Sequence, residues 1–328
     1  MQPAASVIIC THNPRPEFLS RTVEALQRQT LPSDAWEFLL VDNGSSPPVA
    51  EMAAGQEGLV AWHPRGRIVE EPELGLTQAR LRGIAESTAE LIVFVDDDNL
   101  LAPDYLEVAA RIRREHPNLA AFGASILPEY EQEPPPWFHQ FRQMVAVRKV
   151  SQDRWSNNPD DFSSTPLGAG MVITRDLAKH YAADARNNPS KRALGRRGKQ
   201  LTGGEDIDIA LTACDIGQGK GVFADLRLTH IIPAARTELS YLLRLQEATA
   251  FSIAVRRAMR NPSSYGGTNE PSRWRSVARK GLQSLRRLAM PRIERDMHDA
   301  WNKGMAAGQT YVRQQAAQRI AAGEQVRS

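Results

Sequence analysis

Three consecutive carboxylates, Asp96-Asp97-Asp98, follow directly on the apolar run Leu91-Ile92-Val93-Phe94-Val95. Adjacent carboxylates repel one another, and a divalent cation is the simplest relief. Magnesium takes one or two carboxylates together with substrate phosphate oxygens, and manganese accepts a similar oxygen set, so the cluster suits a metal-bound diphosphate. The bland alternative is a solvated acidic turn before a helix, where a single Asp would serve. Asp42 ends Phe38-Leu39-Leu40-Val41 and opens Asp42-Asn43-Gly44-Ser45, which on its own is what any strand-ending turn contains. Glu205-Asp206 follows Gly203-Gly204 and starts a pattern with Ile207, Ile209, Ala210, Leu211 and Cys214. Acids there stabilise a helix N-terminus, or one of them is a general base within hydrogen-bond reach of the proton it removes.

These acids need elements to position them. In the N-terminal half short apolar runs alternate with helix-period segments, the pattern of an α/β fold with a mostly parallel sheet flanked by helices. Strands are expected at Ser6 to Cys10, Glu37 to Val41, Arg67 to Val69, Leu91 to Val95 and Leu119 to Ile126. Helices are expected with Phe18, Leu19, Thr22, Val23 and Leu26 on one face, from about Thr77 to Ser87, and after Pro103. Asp42 and Asp96-Asp97-Asp98 then fall at strand ends that a parallel sheet makes neighbours, where open α/β sheets bind ligands. Periodicity is lost from Pro128 to Pro166, with Pro134-Pro135-Pro136 followed by Trp137 and Phe138. So long an excursion reads as a substrate-facing rim. Order returns at Gly168-Ala169-Gly170-Met171-Val172-Ile173, before a basic loop from Lys191 to Lys199. Gly217-Gln218-Gly219-Lys220-Gly221 lacks the Walker spacing and reads as a helix stop and turn. Beyond Glu238 the strand signals stop and a helical extension follows.

The chain has 328 residues, 41% hydrophobic and 24% charged, with a formal net charge of +3, the composition of a folded soluble protein. Cys10 and Cys214 read as buried thiols in a reducing cytoplasm. No secretory leader is evident, and no run of apolar residues is long enough for a membrane-spanning helix. Between Arg273 and Arg292 lie seven basic residues and no acid, with Trp274, Val277, Ala278, Leu282, Leu285, Leu288 and Ala289 at helical spacing. Such a basic amphipathic helix either lies on an anionic membrane, peripherally at its inner face, or packs on the catalytic part or on another subunit of a homo-oligomer. Nucleic acid is not expected as a partner, because no aromatic residues for base stacking are interleaved there.

Taken in order, Ser6-Val7-Ile8-Ile9-Cys10-Thr11-His12-Asn13, Val41-Asp42-Asn43-Gly44-Ser45, Gly75-Leu76-Thr77-Gln78-Ala79-Arg80, Phe94-Val95-Asp96-Asp97-Asp98 and Gly204-Glu205-Asp206 resemble family 2 glycosyltransferases over roughly residues 4 to 240. The resemblance implies a GT-A nucleotide-sugar fold and inverting transfer from a nucleoside-diphosphate sugar to an acceptor hydroxyl, in polysaccharide or glycoconjugate synthesis. It divides the chain into a catalytic domain, 1–240, and an extension, 241–328. The nucleotide-sugar half would be about 1–127 and the acceptor half about 128–240. By the same resemblance Thr11, Asn13, Asp42, Arg80, Asp96 and Asp97 hold the donor nucleotide, with uridine the default base. Asp98, Asp96 and His230 hold Mn2+ or Mg2+, Asp206 is the catalytic base, and Trp137, Gly170 and Glu205 meet a glycan or lipid-linked acceptor. His12 stands where relatives often carry tyrosine, and Leu81-Arg82 replaces the more usual asparagine. A nucleotidyltransferase is disfavoured because no glycine-rich loop follows the first strand. A noncatalytic nucleotide-sugar sensor or scaffold would have no need of a base.

Overall fold

Among the described residues the apolar runs form a nine-stranded sheet in the order β3 (Gly66–Glu70), β2 (Trp36–Asp42), β1 (Ala5–Thr11), β4 (Leu91–Val95), β8 (Val172–Thr174), β6 (Leu119–Tyr130), β9 (Gly219–Ile232) and β5 (Asn99–Leu101), with β7 (Arg154–Ser156) also paired to β9. The computed structural model describes residues 2–52, 58–198, 200–261 and 290–321. The chain divides into two units: Met1–Lys199 with Glu205–Thr237, and Gln200–Gly204 with Glu238–Ser328.

In the first unit β1 (Ala5–Thr11), β2 (Trp36–Asp42) and β4 (Leu91–Val95) are almost wholly buried on both faces, which is why they read as continuous apolar runs. β1 lies between β2 and β4, parallel to both, and β3 (Gly66–Glu70) extends the sheet beyond β2. Strand order therefore reverses at β1, and the carboxyl ends of β1 and β4 are the place where open α/β sheets form their ligand crevice. The rest of the sheet consists of β5 (Asn99–Leu101), β6 (Leu119–Tyr130), β7 (Arg154–Ser156), β8 (Val172–Thr174) and β9 (Gly219–Ile232). Its long ladder, β6 with β9, is again parallel, while β8, β5 and β7 add short antiparallel pairings.

The longer helices are α1 (Pro16–Gln27), α2 (Leu76–Glu86), α3 (Tyr105–Glu115), α4 (Arg175–Asn187) and α5 (Glu205–Asp215), and a single helical turn covers Pro189–Arg192. Leu19, Val23, Leu26, Leu106 and Ile112 of α1 and α3 pack with Val7, Ile9, Phe38, Leu40, Val93 and Val95. Ala79, Ile84, Leu177, Tyr181 and Ile209 of α2, α4 and α5 pack with Ile8, Leu39, Val41, Ile92 and Phe94. Alternate strand residues thus enter opposite cores, giving three layers.

β9 is absent from the sequence expectation. Gly217 is the expected stop, with φ +77° and the N–H of Gln218 on the Ala213 carbonyl at 2.9 Å, but Gly219 already belongs to the strand. The excursion after Pro128 is also more ordered than its composition suggests. It contains the end of β6, a 3₁₀ helix over Pro136–Val145, β7 and a turn at Phe162–Ser164. Cys10 and Cys214 are half-buried rather than fully buried.

The second unit pairs α6 (Leu239–Arg260) with α7 (Arg292–Ala321). Gly304 lies against Glu247 and Ala250, and Gly308 against Phe251 and Ala254, so the contact advances along both helices together and they run parallel. The basic segment from Arg273 lies outside the described residues, apart from its end at Met290-Pro291-Arg292, and Lys199 lies outside them too. Among the described residues no helix is long and apolar enough to cross a membrane.

Candidate functional site

The crevice at the end of β1 and β4 is closed across its floor by Thr11, whose hydroxyl donates to the Asp97 carboxylate. The three acids form a tight turn, held by the Asn99 N–H on the Asp96 carbonyl at 3.0 Å. β5 then runs antiparallel to β9 with Asn99 opposite His230, and this register brings Asp98 to His230. Asp98 is 4% exposed. Its Oδ2 accepts from Nη1 of Arg236 at 2.8 Å, its Oδ1 accepts from the Asn99 amide at 3.0 Å, and Nε2 of His230 lies 3.5 Å from Oδ1. Burial alone would raise the Asp98 pKa, but His230, Arg236 and Arg196 more than offset it and hold the group well below the usual carboxylate range. Asp97 behaves oppositely. Burial and the neighbouring Asp98 charge push it up to about 7, against the Thr11 hydrogen bond. Asp96 is partly exposed and faces Nη2 of Arg80 at 3.9 Å.

Parallel pairing sets Thr11 beside Asp42. Asp42 is 4% exposed, and its two oxygens accept the N–H groups of Ser45 (3.0 Å) and Val49 (2.8 Å), so it shapes its own loop. Asn13, at φ +50°, accepts from Ser46 N–H at 2.8 Å and offers its own N–H to the Ser45 hydroxyl, tying the β1 loop to the β2 loop. Asn43, which reads as a mere turn residue, joins three segments. Its amide donates to the carbonyls of Glu71 and Glu73, and its oxygen accepts from Gly75 at the start of α2.

α2 delivers Arg80 into the interior, 3% exposed, with its guanidinium over the Phe94 ring and Nη1 3.6 Å from Glu205. Burial opposes its charge, and Glu205 followed by Asp96 outweighs that opposition, leaving Arg80 firmly protonated. Glu205 and Asp206 open α5 but face different surroundings. Glu205 is 2% exposed, and burial pushes it up to about 7 despite Arg80. Asp206 is half-buried, with Oδ2 accepting from Gly168 N–H and Oδ1 from Ile207 N–H, each at 2.8 Å. Glycine at 168 eases this approach, because a Cβ there would lie 3.1 Å from Nη2 of Arg80 and 3.2 Å from Cβ of Asp206, so that these neighbours would have to give by a few tenths of an ångström. The basic loop is pinned by Lys191, whose ammonium bridges Asp184 at 2.8 Å and Asp208 at 3.1 Å. The Arg196 carbonyl accepts from Leu76 N–H at 2.9 Å over the start of α2.

Of the residues expected to meet an acceptor, Trp137 is half-buried on the rim, next to the fully buried anchor Phe138. Gly170, at φ +68°, is buried beneath Leu228 and Tyr105, and Glu205 faces Arg80, so neither presents a side chain to solvent. Among the described residues no three His, Cys, Asp or Glu side chains converge as a metal site. The structure does bring Asp98 and His230 together, with Nδ1 of His230 buried and unpartnered, but does not join Asp96 to them. A carboxylate and an imidazole in this relation suit a magnesium or manganese ion whose other ligands are phosphate oxygens and water. Sequence reasoning missed Arg236; its one local signal is a cation shortly after His230 and Pro233.

The glycosyl transferase family 2 model matches residues 6–178, more than half of the chain. The glucosyl-dolichyl phosphate glucuronosyltransferase of Haloferax volcanii is 25% identical over 243 residues, 73% of this chain and 72% of that protein. The putative glycosyltransferase EpsH of Bacillus subtilis is 29% identical over 120 residues, 36% of this chain, and the match spans only 32% of EpsH. The crystal structure of S. aureus TarS resembles 95% of this chain with a TM-score of 0.51 at 12% identity, over 55% of the TarS chain, a likeness of fold. The fold is the expected GT-A α/β arrangement with a helical C-terminal segment. With the strand-end acids, the helix-opening Glu205-Asp206 pair and a family match from the first strand through β8, the chain belongs to glycosyl transferase family 2.

Proposed function

We propose that the chain moves a sugar with inversion from a nucleoside-diphosphate sugar, uridine being the default base, to a hydroxyl of a glycan or lipid-linked acceptor. The observation that carries this reading is the buried guanidinium of Arg80, 3.9 Å from Asp96 on the donor side and 3.6 Å from Glu205, beside Asp206, on the other. One rigid cation thereby sets the spacing between the nucleotide-facing turn and the candidate base. In this reading about 1–127 holds the donor, about 128–240 the acceptor, and 241–328 is an extension. The Haloferax relative is named for glucosyl-dolichyl phosphate, and a lipid-linked acceptor is the corresponding assignment here.

The Asp206 carboxylate, oriented by the N–H groups of Gly168 and Ile207, takes the proton from the acceptor hydroxyl. That oxygen forms the new bond to the anomeric carbon, and the bond from that carbon to the diphosphate oxygen breaks on the opposite face, so configuration inverts. The nucleoside diphosphate leaves with the bonding pair, its charge facing the cationic end of the crevice at Arg236 and His230. Thr11, Asn13 and Asp42 shape the nucleoside end. Asp98 and His230 would hold a divalent cation, which supplies Lewis-acid stabilisation of the diphosphate.

Calorimetric titration of nucleoside diphosphates and nucleotide sugars, with and without Mn2+, tests the assignment. Metal-dependent binding that is lost in Asp98→Ala and kept in Asp206→Asn is expected. Absence of nucleotide binding under every metal condition contradicts it.

A further inference from the structure

Resting on the diphosphate-donor reading, we infer that Arg236 is a built-in cation that holds the place of the divalent metal between Asp98 and His230 and is displaced when the metal-bound donor arrives. Its Nη1 lies 2.8 Å from Oδ2 of Asp98 and 3.3 Å from Nε2 of His230, so a carboxylate oxygen and an imidazole nitrogen face the same positive group. An arginine N–H can only donate, so a hydrogen bond from Arg236 requires Nε2 as the acceptor, which is the tautomer with the ring proton on Nδ1. This is also the tautomer in which Nε2 offers its lone pair to a metal. Nδ1 is buried without a partner, so the ring orientation is not explained by a hydrogen bond on its other side.

The backbone around Arg236 is fixed, and its side chain is the most exposed of the three groups that meet here. Its N–H is bonded to the Pro233 carbonyl at 2.9 Å, and the Thr237 hydroxyl closes the turn on Ala234 at 2.8 Å. Ala234 N–H is held by Glu131 at 2.9 Å, and Glu131 is itself paired with Arg15. The Arg236 side chain, at 26% relative exposure, is far more open than Asp98 or His230, each at 6%.

Charge gives the device its purpose. With two protein donors the site suits a cation that brings diphosphate oxygens with it, so before donor binding the buried Asp98 charge would lack a cation in direct contact with its Oδ2. Arg236 relieves that state. An arriving divalent ion carries more charge into the same space and repels the guanidinium, which moves to the diphosphate oxygens it can bind bidentately.

The test is a Mn2+ titration of the full chain without nucleotide, followed by the electron paramagnetic resonance signal of free Mn2+. Arg236→Gln and Arg236→Met, which remove the charge, are expected to bind Mn2+ about tenfold more tightly than the native chain, equivalent to about 1.4 kcal/mol. Arg236→Lys is expected to stay near the native value. Adding His230→Gln to Arg236→Gln is expected to abolish the gain. Equal or weaker Mn2+ binding in both neutral variants, including no binding at all, overturns the inference, as does a gain that survives loss of His230. Thermal unfolding checks that each variant is folded, and having two neutral variants guards against failure of one. Failure of the donor reading shows separately, as no nucleoside diphosphate binding by the native chain with Mn2+.

Discussion

Replacing Glu205 with glutamine separates the buried carboxylate's charge from its shape. Glu205 is 2% exposed, the Arg80 guanidinium lies 3.6 Å from it, and its pKa rises from 4.5 to about 7 because burial outweighs that cation. A carboxyl whose pKa is higher in the folded than in the unfolded chain contributes stability that is fully present below pH 4.5 and is lost as pH rises through about 7. The difference between these two values corresponds to about 3 kcal/mol at about 1.4 kcal/mol per pH unit. Glutamine does not titrate, so Glu205→Gln lacks this decline. Leaving Arg80 with Asp96 at 3.9 Å as its remaining described partner in that pair adds an offset independent of pH in this range, so the slope is the quantity to read. Urea unfolding followed by tryptophan fluorescence between pH 5 and 8 is expected to show the variant gaining most of that amount on the native chain as pH rises. Parallel curves would refute the reasoning and mean that Glu205 is ionised throughout, in a closed ion pair with Arg80.

Two further substitutions probe what positions the base. Gly168→Ala places a methyl group 3.1 Å from Nη2 of Arg80 and 3.2 Å from Cβ of Asp206. It is expected to lower kcat about 10²-fold by misplacing Asp206 while KM for the donor changes little, as read by steady-state kinetics. Lys191→Met removes the cation facing the buried Asp208 carboxylate and is expected to destabilise the first unit by about 3–5 kcal/mol, with a fall in Tm and faster trypsin cleavage within the basic loop.

How much of this was legible beforehand differs from element to element. β1, β2 and β4 stand out because both their faces are buried, and the ends of those strands mark Thr11, Asp42 and the Asp96 to Asp98 turn. β9 is harder, although its second half does alternate, with Leu226, Leu228 and His230 buried and Asp225 and Arg227 exposed. The glycines before it conceal that period by reading as a turn. Adjacent acids defeat sequence reasoning for another reason. Glu205 and Asp206 are equivalent helix-start residues until the helix phase turns one toward Arg80 and the other toward Gly168. Arg236 is placed beside Asp98 by the β5–β9 register, a pairing between segments far apart in the chain that no local motif encodes.

Hydrolysis of α-linked nucleotide sugars in the absence of acceptor, followed by proton NMR of the first sugar released, tests inverting transfer through Asp206 most directly. The β-anomer should appear first, and Asp206→Asn should slow its release by about 10²–10⁴-fold with nucleotide affinity unchanged. Release of the α-anomer, or an undiminished rate in Asp206→Asn with normal nucleotide binding, would contradict it.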